Sequence, residues 1–434
     1  MSKLLIKGAT VITMENHDSI IPDGEIAIDG QNIISVGPAG STPEDFIAEK
    51  IIEASDMLAM PGFVNSHTHA AMTLLRSYAD DLPLMKWLEE KIWPLEAKLE
   101  EEDVYWGTML CCLEMIRSGT TTFADMYFFM DHVAMAVEKA GMRANLSRGM
   151  IGVGPEAQSA LDFYREFVAR WHNSADGRIT VRMGPHAPYT CPPDYLKKVI
   201  SLAQELNVGI HIHLAETRTE VEDMARMYGK TPIQLVDSVG LFELPVLAAH
   251  CVHLDSRDIE ILAEKKVGVA HNPESNMKLA SGVAPVTGLI KAGVTVGLGT
   301  DGAASNNNLD MLEEMRSAAL LQKVSTMDPL ALPSFQALQM ATTGGARALG
   351  MDGQLGLIKT GYKADIILME TRRPHLFPRN DWIAHTVYAA QSADINTVII
   401  NGEIVMEDRK VFSIDEDEVF EQVQRRAERL VSQK

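Results

Sequence analysis

At 434 residues the chain is too long for one small domain and long enough for a large barrel with a companion unit. Its 59 acidic against 39 basic residues give a formal charge of -20, which argues against nucleic acid or an anionic membrane as partner, since both are held through Lys and Arg. No run is apolar long enough to cross a bilayer, and the start Met1-Ser2-Lys3-Leu4-Leu5-Ile6-Lys7 lacks the apolar stretch of a signal peptide.

Cys111, Cys112, Cys191 and Cys251 show no C-x-x-C spacing, which fits a reducing cytoplasm. Residues 1–56 read as short strands, Leu4 to Lys7, Thr10 to Ile12, Gly24 to Ile28 and Ile33 to Val36, with Asp29-Gly30 as a hairpin turn. From 57 to 352, apolar runs alternate with amphipathic stretches, the pattern of repeated βα units. The candidate strands are Phe63 to Ser66, Thr121 to Ala124, Ala144 to Ser147, Ile179 to Met183, Val208 to Ile212, Val246 to Ala249, Val267 to Ala270 and Val294 to Leu298. Asp103 to Arg117, Asp131 to Ala140, Tyr195 to Leu206 and Leu309 to Val324 have helical spacing. Phe335 to Met340 and Ala346 to Leu349 read as outer helices broken by Gly344-Gly345. In 353–434, Asp365 to Leu368 and Val398 to Val405 repeat the texture of the first segment, with an Asn-Gly turn, and a charged helix runs from Val419 to Val431. Neither end can bury a core alone, so the two are expected to pair. The predicted class is α/β: a TIM-like (β/α)8 barrel with a small β-sandwich built from the N- and C-terminal segments.

Within this frame, Met60-Pro61-Gly62-Phe63-Val64-Asn65-Ser66-His67-Thr68-His69 closes a strand with two histidines one residue apart. An extended strand turns alternate side chains to one face, so both imidazoles can address one ion. Alone, the pair would look the same as two loop histidines. Three later strands also stop at ligand types: at His211-Ile212-His213 with Glu216 beyond, at His250, and at Asp301. Parallel barrel strands end on one face, where such barrels carry their sites. His67, His69, His213 and Asp301 are therefore the candidate ligands of one divalent ion, with a position left for water. His211, His253 and His271 are expected to be packed or supporting residues.

These motifs resemble the amidohydrolase superfamily, in its branch with one metal held by HxH, a third His and a final Asp. Leu84-Met85-Lys86-Trp87-Leu88, Ile92-Trp93-Pro94-Leu95-Glu96 and Ser118-Gly119-Thr120-Thr121-Thr122-Phe123-Ala124-Asp125-Met126-Tyr127 are most similar to the 5-methylthioadenosine/S-adenosylhomocysteine deaminases. Binuclear members place a carboxylated Lys or a Glu at the end of the fourth strand, whereas this chain has Gly184-Pro185-His186. Cytidine-type zinc deaminases need a P-C-x-x-C pair that is absent here.

The resemblance implies one divalent cation per subunit, zinc in first place with iron or nickel as alternatives, and a small nucleoside as partner. It implies catalytic roles for Glu216 (proton transfer to ring N1), His250 (hydrogen bonding at the reacting carbon) and Asp301 (acceptor of the second proton). Glu96 would bind ribose hydroxyls, His186 the purine or sugar edge and Arg148 the nucleoside tail, with Glu216 and Asp301 also touching substrate. Met72, Leu75, Trp87 and Met126 are apolar candidates for the surroundings, as readily core as pocket. The implied activity is hydrolytic deamination of S-adenosylhomocysteine, 5'-methylthioadenosine or a related adenosine derivative. Guanine-type deamination and triazine dechlorination are the alternatives in the same superfamily. An inactive barrel used as a binding or assembly module is the alternative of another class, and assembly into a homo-oligomer stays open.

Overall fold

Eight runs of buried strand make a closed parallel barrel in the computed structural model: Phe63–Thr68, Thr120–Tyr127, Arg143–Met150, the interrupted Ile179–Val181 and Gly184–Pro185, Ile210–Leu214, Val246–His250, Gly268–His271 and Thr295–Leu298. The structure describes residues 3–432; the outermost residues of the two terminal segments, 1–2 and 433–434, lie outside them. Closure comes at the fourth and fifth strands, where the Met183 N–H bonds Gly209 O at 2.9 Å and the His211 N–H bonds Met183 O at 2.8 Å. Each expected barrel strand is present. The second and third run about one turn of chain further at their C-terminal ends, which lifts Tyr127 and Arg148 onto the strands.

Helices alternate with the strands because each carries one apolar face. In Met130–Ala140 the buried set is Met130, Val133, Ala134, Ala136, Val137 and Ala140, a three-and-four spacing that lays one stripe against the sheet. One expectation is overturned: Gly344-Gly345 does not break the helix. Ser334–Gln339 passes through a π turn, Met340–Gly344, into Gly345–Ala348, with helical angles at both glycines. The pair answers a close approach instead, since a Cβ at Gly344 would lie 2.5 Å from Val296 O and one at Gly345 2.9 Å from Val64 Cβ.

Both ends of the chain enter one sheet. Met57–Pro61 pairs parallel with Lys3–Ile12 on one side and antiparallel with Ile366–Glu370 on the other, then leads through Gly62 into the first barrel strand. The alternation of side chains gives this sheet two cores. Ile366 and Leu368 join Leu4, Ile6, Ile26 and Ile28 within it, while Ile367 and Met369 face the barrel's helical layer. Asn401-Gly402 makes the tight turn between Ile395–Ile400 and Glu403–Glu407, with φ of 54° and 80°. Arg143, at the start of the third barrel strand, grips Asp365 of the terminal sheet through two hydrogen bonds of 3.0 and 3.1 Å and Asn401 through a third of 3.0 Å. The terminal helix Glu416–Ser432 docks on Glu101–Arg117, where Arg426 meets the fully buried Asp103 at 3.1 Å. Among the described residues no helix is long and apolar enough to cross a membrane.

Candidate metal centre and cleft at the barrel mouth

The C-terminal ends of the strands bring five titratable side chains together. One ligand atom from each of His67, His69 and His213 lies within 4.8 Å of the others, and the same holds for His67, His250 and Asp301. Asp301 Oδ1 stands 3.4 Å from His67 Nε2 and 3.2 Å from His69 Nε2. The backbone is bent to achieve this. Ala215, His250, Cys251 and Asp301, all at or just past strand ends, have φ of 52°, 73°, 50° and 59°, a left-handed geometry that residues with a β-carbon adopt at a cost and that gathers at working sites.

Hydrogen bonds on the far side of each ring decide which nitrogen faces the centre. His69 Nδ1 donates to Met126 O at 2.6 Å and His213 Nδ1 to His186 O at 2.8 Å, which leaves both Nε2 lone pairs free. For His67 the same result is relayed through two side chains. The Ser147 hydroxyl donates to Asp125 O at 2.8 Å, so it accepts from His211 Nδ1 at 3.0 Å, and His211 Nε2 then accepts from His67 Nδ1 at 2.8 Å. His67 Nε2 is consequently a bare lone pair, fully buried, with no hydrogen-bond partner. His250 is opposite in kind: Asn276 and Asn272 amides donate to its Nδ1 at 3.0 and 3.3 Å, which puts its proton on Nε2. Three bare nitrogens and a carboxylate suit a divalent cation, and the fourth imidazole offers it a proton, not a lone pair.

For His67 and His213 the electrostatics agree with that division. Burial lowers His67 to about 4 and, with neighbouring histidines, holds His213 well below the usual range, so both are neutral at pH 7. Burial opposes charge on His69, yet its bond to Asp301 overrides this and lifts it to about 9; a cation competes with that proton for the same Nε2. Burial also opposes ionisation of Asp301, but His67 and His69 hold its carboxyl well below the ordinary carboxylate range. Ser275 and Ser305 donate to its other oxygen at 2.6 and 3.1 Å. Glu216, 3.8 Å from His250 Nε2, is pushed up to about 8, by burial first and by the charge of Asp301 second.

Above the centre opens a cleft. His69, His213, Asp301, Glu216, His250, His186 and Glu96 all reach it, among the apolar Met72, Trp87, Trp93, Met126 and Phe128; Leu75 does not. Glu96 closes the short helix Trp93–Glu96, its carboxyl raised by burial with the Tyr127 hydroxyl opposing. His186 is anchored by Thr190 Oγ1 at 2.9 Å and lowered to about 4 by burial. Arg148 stands apart. It lines a neighbouring depression that shares Trp93, Glu96, Phe128 and Ile151 with the cleft, its guanidinium 5.1 Å over the Phe163 ring and its Nη1 buried without a partner.

Sequence reading missed Ser147, Asn272, Ser275, Asn276 and Ser305, which orient the central groups. Asn272 to Asn276 follow directly on the seventh strand at the face that carries the site, and that position was the available signal.

A family profile described as the amidohydrolase family matches residues 58–405. A protein of Pelotomaculum thermopropionicum named 5-methylthioadenosine/S-adenosylhomocysteine deaminase is 67% identical over 432 residues, covering 100% of each chain. The crystal structure of an adenosine deaminase from Xanthomonas campestris with bound zinc is 35% identical, with a TM-score of 0.95 over 99% of each chain. That of atrazine chlorohydrolase from Arthrobacter aurescens, complexed with zinc, is 24% identical with a TM-score of 0.90 over 98% of this chain and 100% of that one, and shows the shared fold alone.

Proposed function

The chain belongs to the amidohydrolase family, and from that premise we propose that it is a hydrolytic deaminase that converts S-adenosylhomocysteine and 5'-methylthioadenosine to the inosine derivatives and ammonia. The observation that carries this reading is the meeting of three bare imidazole nitrogens and Asp301 beside a carboxyl held up to about 8, on the floor of a cleft that Glu96 also lines. The identity of 67% to a named deaminase over the whole chain supports it. At 24% identity the triazine enzyme offers no comparable support for dechlorination.

In this reading His67, His69, His213 and Asp301 would hold one divalent ion, zinc first, with iron or nickel as alternatives. Such an ion supplies a Lewis acid that makes water a nucleophile near neutral pH. Glu216 delivers the proton of its carboxyl to N1 of the adenine ring, which makes C6 more electrophilic, and takes one back from the attacking water. His250 donates a hydrogen bond from its Nε2–H to the oxygen arriving at C6. Asp301 accepts the second proton and passes it to the departing amine, so the water oxygen becomes the C6 carbonyl oxygen and the amine leaves as ammonia. Glu96 accepts hydrogen bonds from the ribose hydroxyls, His186 meets the purine or sugar edge, and Arg148, in the outer depression, reaches the far end of the nucleoside tail. Residues 57–352 contain the catalytic barrel, with their first strand, Met57–Pro61, given to the companion sheet that 1–56 and 353–434 build. Four unpaired buried cysteines suit action in the cytoplasm.

Ammonia release from S-adenosylhomocysteine, methylthioadenosine, adenosine, 5'-deoxyadenosine and guanine tests the proposal. The highest kcat/KM is expected for the first two; release from guanine alone, or from none while about one equivalent of metal is bound, would overturn it. Replacing Glu96 by Ala should weaken nucleosides by about 10- to 100-fold and leave free bases little changed; equal losses would remove the ribose contact.

A further inference from the structure

The loop that presents Glu216 is held from behind by a residue with no part in the chemistry above. Glu220 is 5% exposed, and its carboxylate accepts the Ala215 N–H at 3.0 Å through one oxygen and the Glu216 N–H at 2.8 Å through the other. The pattern Thr217-x-x-Glu220 is that of a capping box, in which the acid reaches back to the N–H of the cap residue itself. The helix Ser256–Glu264 shows the ordinary form, with Asp258 accepting the Asp255 N–H at 3.1 Å. On Arg218–Tyr228 only half of the box is made: Thr217 Oγ1 accepts the Glu220 N–H at 3.2 Å, while the Glu220 carboxylate is diverted to the two residues upstream of the cap. Those two are Ala215, at φ 52°, and the candidate proton carrier.

A left-handed alanine persists only where its surroundings impose it. Two N–H groups aimed at one buried carboxylate do so, and they fix the direction in which the next side chain leaves the backbone. We propose that Glu220 is a positioning residue that clamps the Ala215 and Glu216 amides and so aims the Glu216 carboxyl at the substrate. This rests on the reading of Glu216 as the proton carrier.

Glu220→Gln keeps the shape but meets one of the two N–H groups with an NH2. The metal-loaded variant is expected to lose about 100-fold in kcat, the cost of a misplaced reacting group, with KM for S-adenosylhomocysteine within about threefold and metal content unchanged. Added to Glu216→Gln, it should subtract nothing further from the residual turnover. Thr217→Ala, which removes the helix cap and leaves the clamp, should lower Tm without lowering kcat.

If Glu220→Gln does not fold, Glu220→Asp retains both oxygens with one methylene less of reach, and the same kcat loss is expected. An inactive Glu216→Gln beside a Glu220→Gln of unchanged kcat would overturn the clamp alone. So would an equal loss from Glu220→Gln in the Glu216→Gln background, a kcat loss in Thr217→Ala as large as in Glu220→Gln, or a fully active Glu220→Asp. Full activity of Glu216→Gln would remove the reading of Glu216 and the clamp with it.

Discussion

The two ends of the barrel are made by the same strands and have opposite chemistry. At the mouth, His67, His213, His250 and Asp301 crowd together on backbone bent into left-handed turns. At the base, Val64, Ala124, Leu247 and Ala270 point inward and are plugged by Ala346, Ala348, Leu349, Met351 and Leu355 from the segment after the eighth strand. The base is closed by apolar burial, which is favourable and needs no orientation. The mouth holds polar groups out of water, which is unfavourable unless each is oriented and partnered. Stability therefore comes from the base and reactivity from the mouth, and substitutions at the two ends should separate in what they change.

The largest effect is expected at the mouth. Glu216→Gln should lower kcat by about 10,000-fold with metal content and Tm near wild type, read by ammonia release and elemental analysis. At the base, Leu247→Ala should cost about 3 kcal/mol in urea unfolding and leave the kcat of the folded enzyme within about twofold; a large kcat loss would break the separation. His211 tests the join between the two, because it lies below the centre and acts on it only through His67. His211→Leu removes the acceptor of the His67 Nδ1 proton and should weaken metal binding by about 10- to 100-fold in chelator competition. His211→Gln, which can still accept from His67, should recover most of it.

The smallest expected effect is of pH on stability. His271 is buried with both ring nitrogens unpartnered, and burial depresses it to about 3. Its folded value lies below its unfolded one, so its contribution is whole above about pH 6.5 and is lost as pH falls toward 3. Between pH 7.5 and 5 that loss is about 2 kcal/mol, or about 2 °C in Tm for a chain of this size. His271→Asn should flatten the slope, and an unchanged slope would assign it to other groups.

The barrel was legible because each strand is an apolar run of fixed length ending in a turn, and the His-x-His pair because a strand repeats every two residues. The order of the terminal sheet was not legible, since Met57–Pro61 reads locally as an approach to the barrel and its partners lie some 300 residues away in Ile366–Glu370. Gly344-Gly345 carried the local signal of a break, and only the nearness of Val296 and Val64 explains why the helix continues. At the site, the groups placed at strand ends do converge. Ser147 carried no signal because orientation across a barrel depends on depth, which periodicity does not encode, whereas Asn272 and Asn276 had only their place after the seventh strand to mark them. Arg148 reads as ending the third strand, whereas that strand extends through Met150 and Arg148 lines the neighbouring depression.

The pairing of Met57–Pro61 with Ile366–Glu370 has a consequence for how the protein is born. During synthesis the first strands leave the ribosome long before their neighbours exist, and their unpaired edge stays open while the cylinder assembles. That edge can close only once Ile366–Glu370 has been made, so an arrested nascent chain lacking its final 80 or so residues would bear a sticky flank.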